Sequence, residues 1–380
     1  MKNRFYLVIV TMLALMACRT DDPIISSEKD ELPSQEVATI TGFYLLNEAN
    51  MSSNKSSLDI YDYATGVYSR NVYGEANPDA TLGLGDVGND LAIYGSQLWV
   101  VVNASNKVEV LDVASAKRKT VIDIKNCRYV VFDKGFAYVS AYDGSIGIEA
   151  GGNTTPNGVV AKIDTATYEI VNTVRVGRQP EQMAIVDDKL YVANSGGYSP
   201  PNYERTVSVV DLNTFTKTKD IDVAINLHQL SADSDGNLYV SSRGDYFNIS
   251  SNLYLVDTKK DVVVDSFGIA CAVLCIDGDT AYAVGSEFSY TTYEWNITYN
   301  MINTKTRKVL EGSFIPDEIS DNIVKPYGVA VDPISKYIYI TDAVDYVSPG
   351  WLWCYDQKNE IVKFKHKTGD IPSRIAFIYK

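Results

Sequence analysis

The sequence predicts an all-β fold, a seven-bladed β-propeller whose C-terminal strand completes the N-terminal blade. Three observations predict it. Seven times a short apolar strand ends in an acidic or amide residue that opens a turn: Asp62, Asp112, Asp164, Asp211, Asp257, Asn303 and Asp356. Successive turns lie 50, 52, 47, 46, 46 and 53 residues apart. A period near fifty residues, with strands and no helical stretches between, is how repeated blades write themselves. Second, an aromatic column recurs one strand before each turn, at Tyr44, Trp99, Tyr138, Tyr191, Tyr239, Tyr282 and Tyr339. Large rings at one place in every repeat are expected to pack between neighbouring blades. Third, the ends are complementary. FYLLNEAN matches a second strand with no first strand before it, and SRIAFIY matches an inner strand with nothing after it. Joining them closes the ring and hides edge strands that would otherwise pair with other chains.

Along the chain, MKNRFYLVIVTMLALMAC opens with Lys2 and Arg4, continues with an apolar run and ends in a small residue before Cys18. This reads as a signal peptide, and Leu15-Met16-Ala17-Cys18 further fits a lipoprotein signal over residues 1–17, with Cys18 diacylated as the mature N-terminus. Residues 18–38 follow as the lipidated cysteine and an acidic, proline-containing stretch with too little apolar surface to fold, so a flexible tether is expected. Asp21 and Asp22 resemble the acidic export signal of surface-exposed lipoproteins. Residues 39–380 carry the repeats and form one domain, because radial blades pack on neighbours and not around a single compact centre. EQMAIVDDKLYVANS shows the template: an inner strand, a turn at Asp187-Asp188 and a second strand. TVSVVDLNTFTKTKDIDV then supplies the third strand, its Asp turn and the outer strand, all in period two.

The chain of 380 residues has net charge −14, or −16 once Lys2 and Arg4 leave with the signal. Such a chain repels nucleic acid. No second apolar run approaches the roughly twenty residues of a membrane span, so contact with a membrane is expected through the lipid alone. Cys271 and Cys275 lie in one strand-like run, where four residues span roughly 13 Å, too far for a disulfide. With Cys127 and Cys354 they are expected to be buried free thiols. The two histidines and these cysteines assemble no zinc site, and no metal is expected. DSDGN at Asp233–Asn237 looks like a calcium loop but lacks the remaining ligands and the distal Glu.

In a four-stranded blade, the loops joining second to third strands share a face with the connections between blades. The Asp/Asn turns lie on the opposite face and are short. The loop face is long-looped and rich in aromatic, Asn and Gly residues, as in AYDGSIGIEAGGNTTPNG, NSGGYSPPNYERT, SRGDYFNISSN, GSEFSYTTYEWNIT and DAVDYVSPGW. Such loops on a rigid scaffold usually carry binding. The inner strands begin on that face, which gives a first column Asn89, Arg128, Glu181, His228, Ala272, Tyr327 and Ser373. The next is Asp90, Tyr129, Gln182, Gln229, Val273, Gly328 and Arg374. A polar ring inside an aromatic collar suits a large ligand rich in amides or hydroxyls, though channel mouths are also polar simply because water enters them. The candidate binding residues are Asn89, Asp90, Arg128, Arg178, Glu181, Gln182, His228, Gln229, Tyr327 and Arg374 at the rim. Tyr142, Tyr198, Tyr203, Tyr246, Phe247, Tyr290, Trp295 and Trp351 stand in the collar.

Nothing in this face selects a catalytic set. His228 is at the rim, but His366 falls near the last outer strand and no nucleophile elbow occurs. His228 reads as a structural histidine, or as a donor to a ligand or to a ligand's metal. Glu181 with Asp90 suits acid–base work, yet nothing distinguishes them from other acids. The expectation is a binding protein without catalytic residues or a required cofactor. The alternatives are a glycan-binding or adhesive surface propeller, and a lactonase-like or quinone-dependent enzyme.

The lipobox, the acidic stretch, FYLLNEAN, GDVGNDLAIYGSQLWVVVNASNKVEVLD and the LYVANSGGY loop together resemble YncE-like propeller lipoproteins of gut Bacteroidetes, most nearly the BtuG-type cobalamin-binding group. The resemblance implies capture of cobalamin (vitamin B12) at the cell surface and its transfer to a TonB-dependent outer-membrane transporter of BtuB type. It implies an outer-membrane, lipid-anchored, surface-exposed location. On that reading corrin amides would meet Asn89, Asp90, Glu181, Gln182 and Gln229, with loop tyrosines and Trp295 over the ring.

Overall fold

The computed structural model describes residues 27–35, 39–144, 157–289 and 293–380. Seven antiparallel sheets form the blades. Their inner strands are Pro372–Tyr379, Gly88–Tyr94, Cys127–Asp133, Pro180–Val186, Leu227–Ala232, Val273–Asp277 and Pro326–Val331. Each packs on the next and the last on the first, closing a ring. Closure is as the sequence predicts. Pro372–Tyr379 pairs antiparallel with Ile40–Asn47, with Phe43 opposite Phe377 and Tyr44 opposite Ala376.

The seven Asp/Asn turns share one mechanism. In each, the side-chain Oδ1 accepts the backbone N–H three residues on: from Thr65 at 2.8 Å, Ser115 at 3.2 Å, Thr167 at 2.9 Å, Thr214 at 2.9 Å, Lys260 at 3.2 Å, Thr306 at 2.8 Å and Asn359 at 3.1 Å. A short carboxylate or amide side chain can mimic a turn hydrogen bond in this way, which is why only Asp and Asn fill the position.

The aromatic column is buried in all seven second strands. Its members reach forward around the ring. Tyr44 donates to the Val113 carbonyl at 2.7 Å, and Trp99 lies edge-on to Phe132 at 5.5 Å. Tyr138 meets Phe215 at 5.8 Å, Tyr191 donates to Asp261 at 2.8 Å, and Tyr282 lies edge-on to Phe314 at 5.3 Å. Tyr339 crosses the closure and contacts Phe43 at 4.9 Å. Each ring takes roughly 150–250 Å² out of water. At about 25 cal/mol/Å² that is about 4–6 kcal/mol of gross burial per blade junction. The hydrophobic core is accordingly a series of clusters between blades.

The segment expected to be a flexible tether, 18–38, differs in its described part. Lys29–Glu31 forms a fifth strand on the N-terminal blade, antiparallel to Val67–Ser69. Leu32 N–H then donates to Gly66 O at 2.7 Å, and Gln35 Nε2 donates to the Tyr339 hydroxyl at 2.9 Å. Main-chain pairing to an open sheet edge needs no apolar side chains, so composition gave no sign of it. The strand descends from the inter-blade face, where the Glu28 carbonyl accepts from Arg70 N–H at 2.9 Å, toward the Asp-turn face. Residues 1–17, Cys18, Asp21 and Asp22 lie outside the described residues.

Cys127, Cys271 and Cys354 are buried and Cys275 is half-buried; all four are free thiols. Asp233 binds its own turn, accepting N–H groups from Asp235 and Asn237 at 2.9 Å each.

Candidate functional site

Five inner strands start through the same backbone device. Val87, Asn126, Gln179, Asn226 and Ile371 adopt left-handed conformations with φ of 59°, 50°, 51°, 54° and 55°. Each stands two residues before a member of the first mouth column: Asn89, Arg128, Glu181, His228 and Ser373. Non-glycine residues visit this region at a cost, so its repetition marks a conformation the surroundings enforce. The carbonyl of each left-handed residue accepts the N–H of the residue just past the second strand, namely Asn103, Tyr142, Ser195, Arg243 and Glu48. That brings a further column to the mouth, always four residues beyond the aromatic column: Glu48, Asn103, Tyr142, Ser195, Arg243, Ser286 and Ala343.

Glu181 joins the two columns. It is 2 % exposed, and its Oε2 accepts from Arg128 Nε at 3.2 Å and Nη2 at 2.9 Å. Its Oε1 accepts from the Tyr142 hydroxyl at 2.7 Å and Ser195 Oγ at 3.4 Å, and lies 3.9 Å from Arg243 Nη1. Asp90 accepts Val130 N–H at 2.9 Å and lies 3.6 Å from Arg374 Nε. Burial pushes the Asp90 carboxyl up, against the pull of Arg374. Burial also raises Glu48, which accepts a 2.9 Å bond from the Tyr327 hydroxyl. His228 Nε2 meets the Tyr129 hydroxyl at 3.0 Å. Burial first, then the Arg243, Arg374 and Arg128 guanidiniums, hold the His228 ring well below its usual range, so it is neutral. Its Nδ1 and the Gln229 Oε1 are buried with no hydrogen-bond partner among the described residues.

Above these residues opens a cavity of about 890 Å³, displaced toward the blades that start at Leu227, Val273 and Pro326. Its floor holds Asn89, Arg128, Tyr129, His228, Gln229, Tyr327 and Arg374, all from the two mouth columns, together with Glu48 and Arg243. Its wall holds Tyr246, Phe247, Ile249, Phe288, Trp295 and Tyr346.

The wall is built from two devices. In SRGDYFNIS, Gly244 has φ 64°, and a Cβ there would strike the Ile249 carbonyl oxygen. Asp245 Oδ1 then accepts N–H groups from Phe247, Asn248 and Ile249 at 2.9, 2.7 and 2.8 Å. In DAVDYVSP, Asp345 does the same for Val347 and Ser348 at 2.9 and 2.7 Å. The residue after each Asp, Tyr246 or Tyr346, is held at φ 66°. The second device is a long hairpin. GSEFSYTTYEWNIT, expected as a loop, continues the strands Thr280–Ser289 and Glu294–Asn303, with Phe288 opposite Trp295. Alternating apolar residues carry the pairing on. The Phe288 and Trp295 rings meet at 5.6 Å, and Lys325 Nζ sits 3.4 Å from the centre of the Trp295 ring.

Of the residues singled out in the sequence, Asn89, Arg128, His228, Gln229, Tyr246, Phe247, Trp295, Tyr327 and Arg374 line this cavity. Asp90, Tyr142, Glu181 and Gln182 do not; they brace the floor, Gln182 by accepting Leu230 N–H at 3.1 Å. Tyr198 packs on Tyr142 at 6.1 Å. Arg178 binds Glu204 at 3.1 Å and does not line the cavity; nor does Tyr203, which lies near Asp245 and the wall residue Tyr246. Trp351 is in blade packing, with Lys365 Nζ 4.4 Å over its ring. Tyr290 lies outside the described residues. Glu48 and Arg243 were missed, although the count of four from Tyr44 and Tyr239 reaches both. Among the described residues, no three His, Cys, Asp or Glu side chains are grouped to hold a metal ion.

One family model, a domain of unknown function (DUF5074), matches residues 41–379. The chain belongs to the DUF5074 family. That match spans the whole ring of this DUF5074 protein, from its second strand to its closing strand. No curated protein matches it. Among solved structures it is similar to Kuenenia stuttgartiensis hydrazine synthase, at 15 % identity and a TM-score of 0.60, over 77 % of this chain and 95 % of that one. It is similar to a quinonprotein alcohol dehydrogenase-like protein from Bacteroides thetaiotaomicron, at 14 % and 0.56, over 89 % and 78 %. A third is the dihydro-heme d1 dehydrogenase NirN in complex with DHE, at 11 % and 0.52, over 92 % and 79 %. At these identities the likeness is one of fold.

Proposed function

We propose that this DUF5074 protein is a cell-surface lipoprotein, held to the outer membrane through diacylated Cys18, that captures cobalamin at the propeller mouth. It passes the vitamin to a TonB-dependent transporter of BtuB type, without catalysis and with no cofactor of its own. The observation that carries this reading is the two-sided cavity. At about 890 Å³ it stands near the top of the roughly 300–1,000 Å³ range of small-molecule sites, which favours a large ligand. One side is aromatic, and the other offers Asn89, Gln229, His228 and arginine donors. A corrin is an apolar disc edged with amides, and its edge suits that floor while its face suits Trp295, Phe247 and Tyr246. The floor is braced from behind by Glu181 and Asp90, so little ordering entropy is lost on binding.

Calorimetry of the mature chain without its lipidated residue, from Arg19 onward, with cyanocobalamin tests this. The expected result is one-to-one binding, weakened at least tenfold by the pair Phe247→Ala and Trp295→Ala. No heat at micromolar protein refutes capture.

A further inference from the structure

We propose that the cavity floor contains an anion subsite, formed by Arg128, Arg243 and Arg374, for a phosphate ester carried by the ligand. This rests on the cavity being the ligand site, as proposed above.

The floor acids are engaged from behind, whereas the guanidiniums have donors to spare. Glu181 is 2 % exposed and takes two bonds from Arg128 and one from Tyr142. Arg243 comes no nearer to it than 3.9 Å, and Arg374 stands 3.6 Å from Asp90. Both separations exceed hydrogen-bond length, while each guanidinium carries five N–H donors in a fixed fork. Both side chains line the cavity. Arg128 and Arg374 also flank one ring, their Cζ atoms 5.7 and 5.3 Å from the centre of Tyr129. The two guanidiniums thus gather at one part of the floor, where an anion on the cavity side meets both.

The neighbourhood of His228 reports the same field. After burial, the charges that hold its ring neutral come from Arg243, Arg374 and Arg128. The acids facing the cavity are Glu48 and Glu287. Glu48 accepts from Tyr327 and feels the charges of Arg128, Arg374 and Arg243, and Glu287 accepts Ser251 N–H at 2.6 Å, so the oxygens of both are engaged while the forks of Arg243 and Arg374 stay open to the cavity. A floor of converging forks suits a tetrahedral group with several acceptor oxygens better than a planar amide. Cobalamin carries such a group in the phosphodiester of its nucleotide arm.

The test uses the full mature chain at low ionic strength, with inorganic phosphate as one probe and cyanocobalamin and cobinamide, which lacks the phosphodiester, as the others. Phosphate is expected to bind and to compete with cyanocobalamin. Arg243→Gln and Arg374→Gln should each weaken phosphate at least tenfold, and cobinamide should bind at least tenfold more weakly than cyanocobalamin. Arg243→Lys and Arg374→Lys keep the charge and lose the fork; they guard against a glutamine variant that fails to fold, and should weaken phosphate severalfold. Phosphate binding unchanged in folded Arg243 and Arg374 variants overturns the subsite. Cyanocobalamin binding without phosphate competition, and with cobinamide equally tight, also overturns it but leaves capture standing. Phosphate bound through these arginines with no cyanocobalamin binding keeps the subsite and removes cobalamin as its ligand.

Discussion

Neutralising Glu181 should loosen the whole mouth. Its carboxylate is 2 % exposed and holds Arg128 through two bonds, with Tyr142 and Ser195 on its other oxygen. Glu181→Gln keeps the shape but leaves the half-buried Arg128 beside a neutral amide. Breaking one side of a fully buried ion pair costs about 3–5 kcal/mol, mostly from the charge left behind, which sets the upper bound for this pair because Arg128 opens on the cavity. Unfolding entropy near 60 °C is about 2.1 cal/mol/K per residue, hence about 0.7 kcal/mol/K over roughly 340 ring residues. The expected fall in melting temperature is therefore up to about 4–7 °C, read by calorimetric scanning at neutral pH. Arg128→Gln and the double variant complete a cycle, in which the double should cost less than the sum of the singles by at least about 1 kcal/mol. A Glu181→Gln protein that melts within about 1 °C of the parent would show that the charge does not hold the mouth together.

Asp59 accepts from Tyr68 at 3.0 Å and from Asn71 N–H at 2.9 Å, and burial pushes its carboxyl up to about 6. A raised acid takes up a proton more readily folded than unfolded, so its contribution to stability grows as pH falls from about 6 toward the ordinary value near 4, by up to about 3 kcal/mol. Asp59→Asn should remove that rise, seen as a melting-temperature difference between parent and variant that changes across pH 4–7; a constant difference refutes it. Burial pushes the Cys127 and Cys271 thiols up to about 12 and Cys275 up to about 11, so the native mature chain should resist a thiol reagent at neutral pH and react at all four positions only when denatured. Rapid native labelling of Cys127, Cys271 or Cys354 counts against their burial.

The ring was legible because each of its rules repeats seven times in residue types that few others can replace. Only Asp or Asn can close the Oδ1 turn, and a buried ring such as Trp99 or Tyr191 leaves an unmistakable column. The closure was legible from two strands that lacked partners. Mouth residues at the starts of inner strands, such as Arg128 and His228, followed from the same register. Glu48 and Arg243 were not found, because their column varies freely from Glu to Ala and only its spacing from the aromatic column is fixed. The side of the ring that opens was not legible either. It depends on the left-handed Tyr246 and Tyr346 and on strands that run on past Ser286, and these are set by hydrogen bonds to Asp245 and Asp345 and by pairing across a hairpin. Lys29–Glu31 was hidden for the opposite reason, since its place is fixed by main-chain groups that every residue carries.

The direction of that outer strand sets a mooring geometry. Nine residues lie between Cys18 and Glu28, and ten residue steps can span at most about 33–36 Å. This segment joins the propeller beside Arg70, at the edge of the face that carries the mouth. Had the chain joined at the Asp-turn face, about 20 Å of that span would have gone to the height of one six-residue strand before the mouth side. If Cys18 sits in the lipid as proposed, the outer edge of the N-terminal blade, on the mouth face, is the described part of the molecule tied closest to the bilayer. On that proposal the mouth face can tip toward a membrane-embedded receiver with the full reach of the segment in hand, and a full turn away would draw the segment around the body.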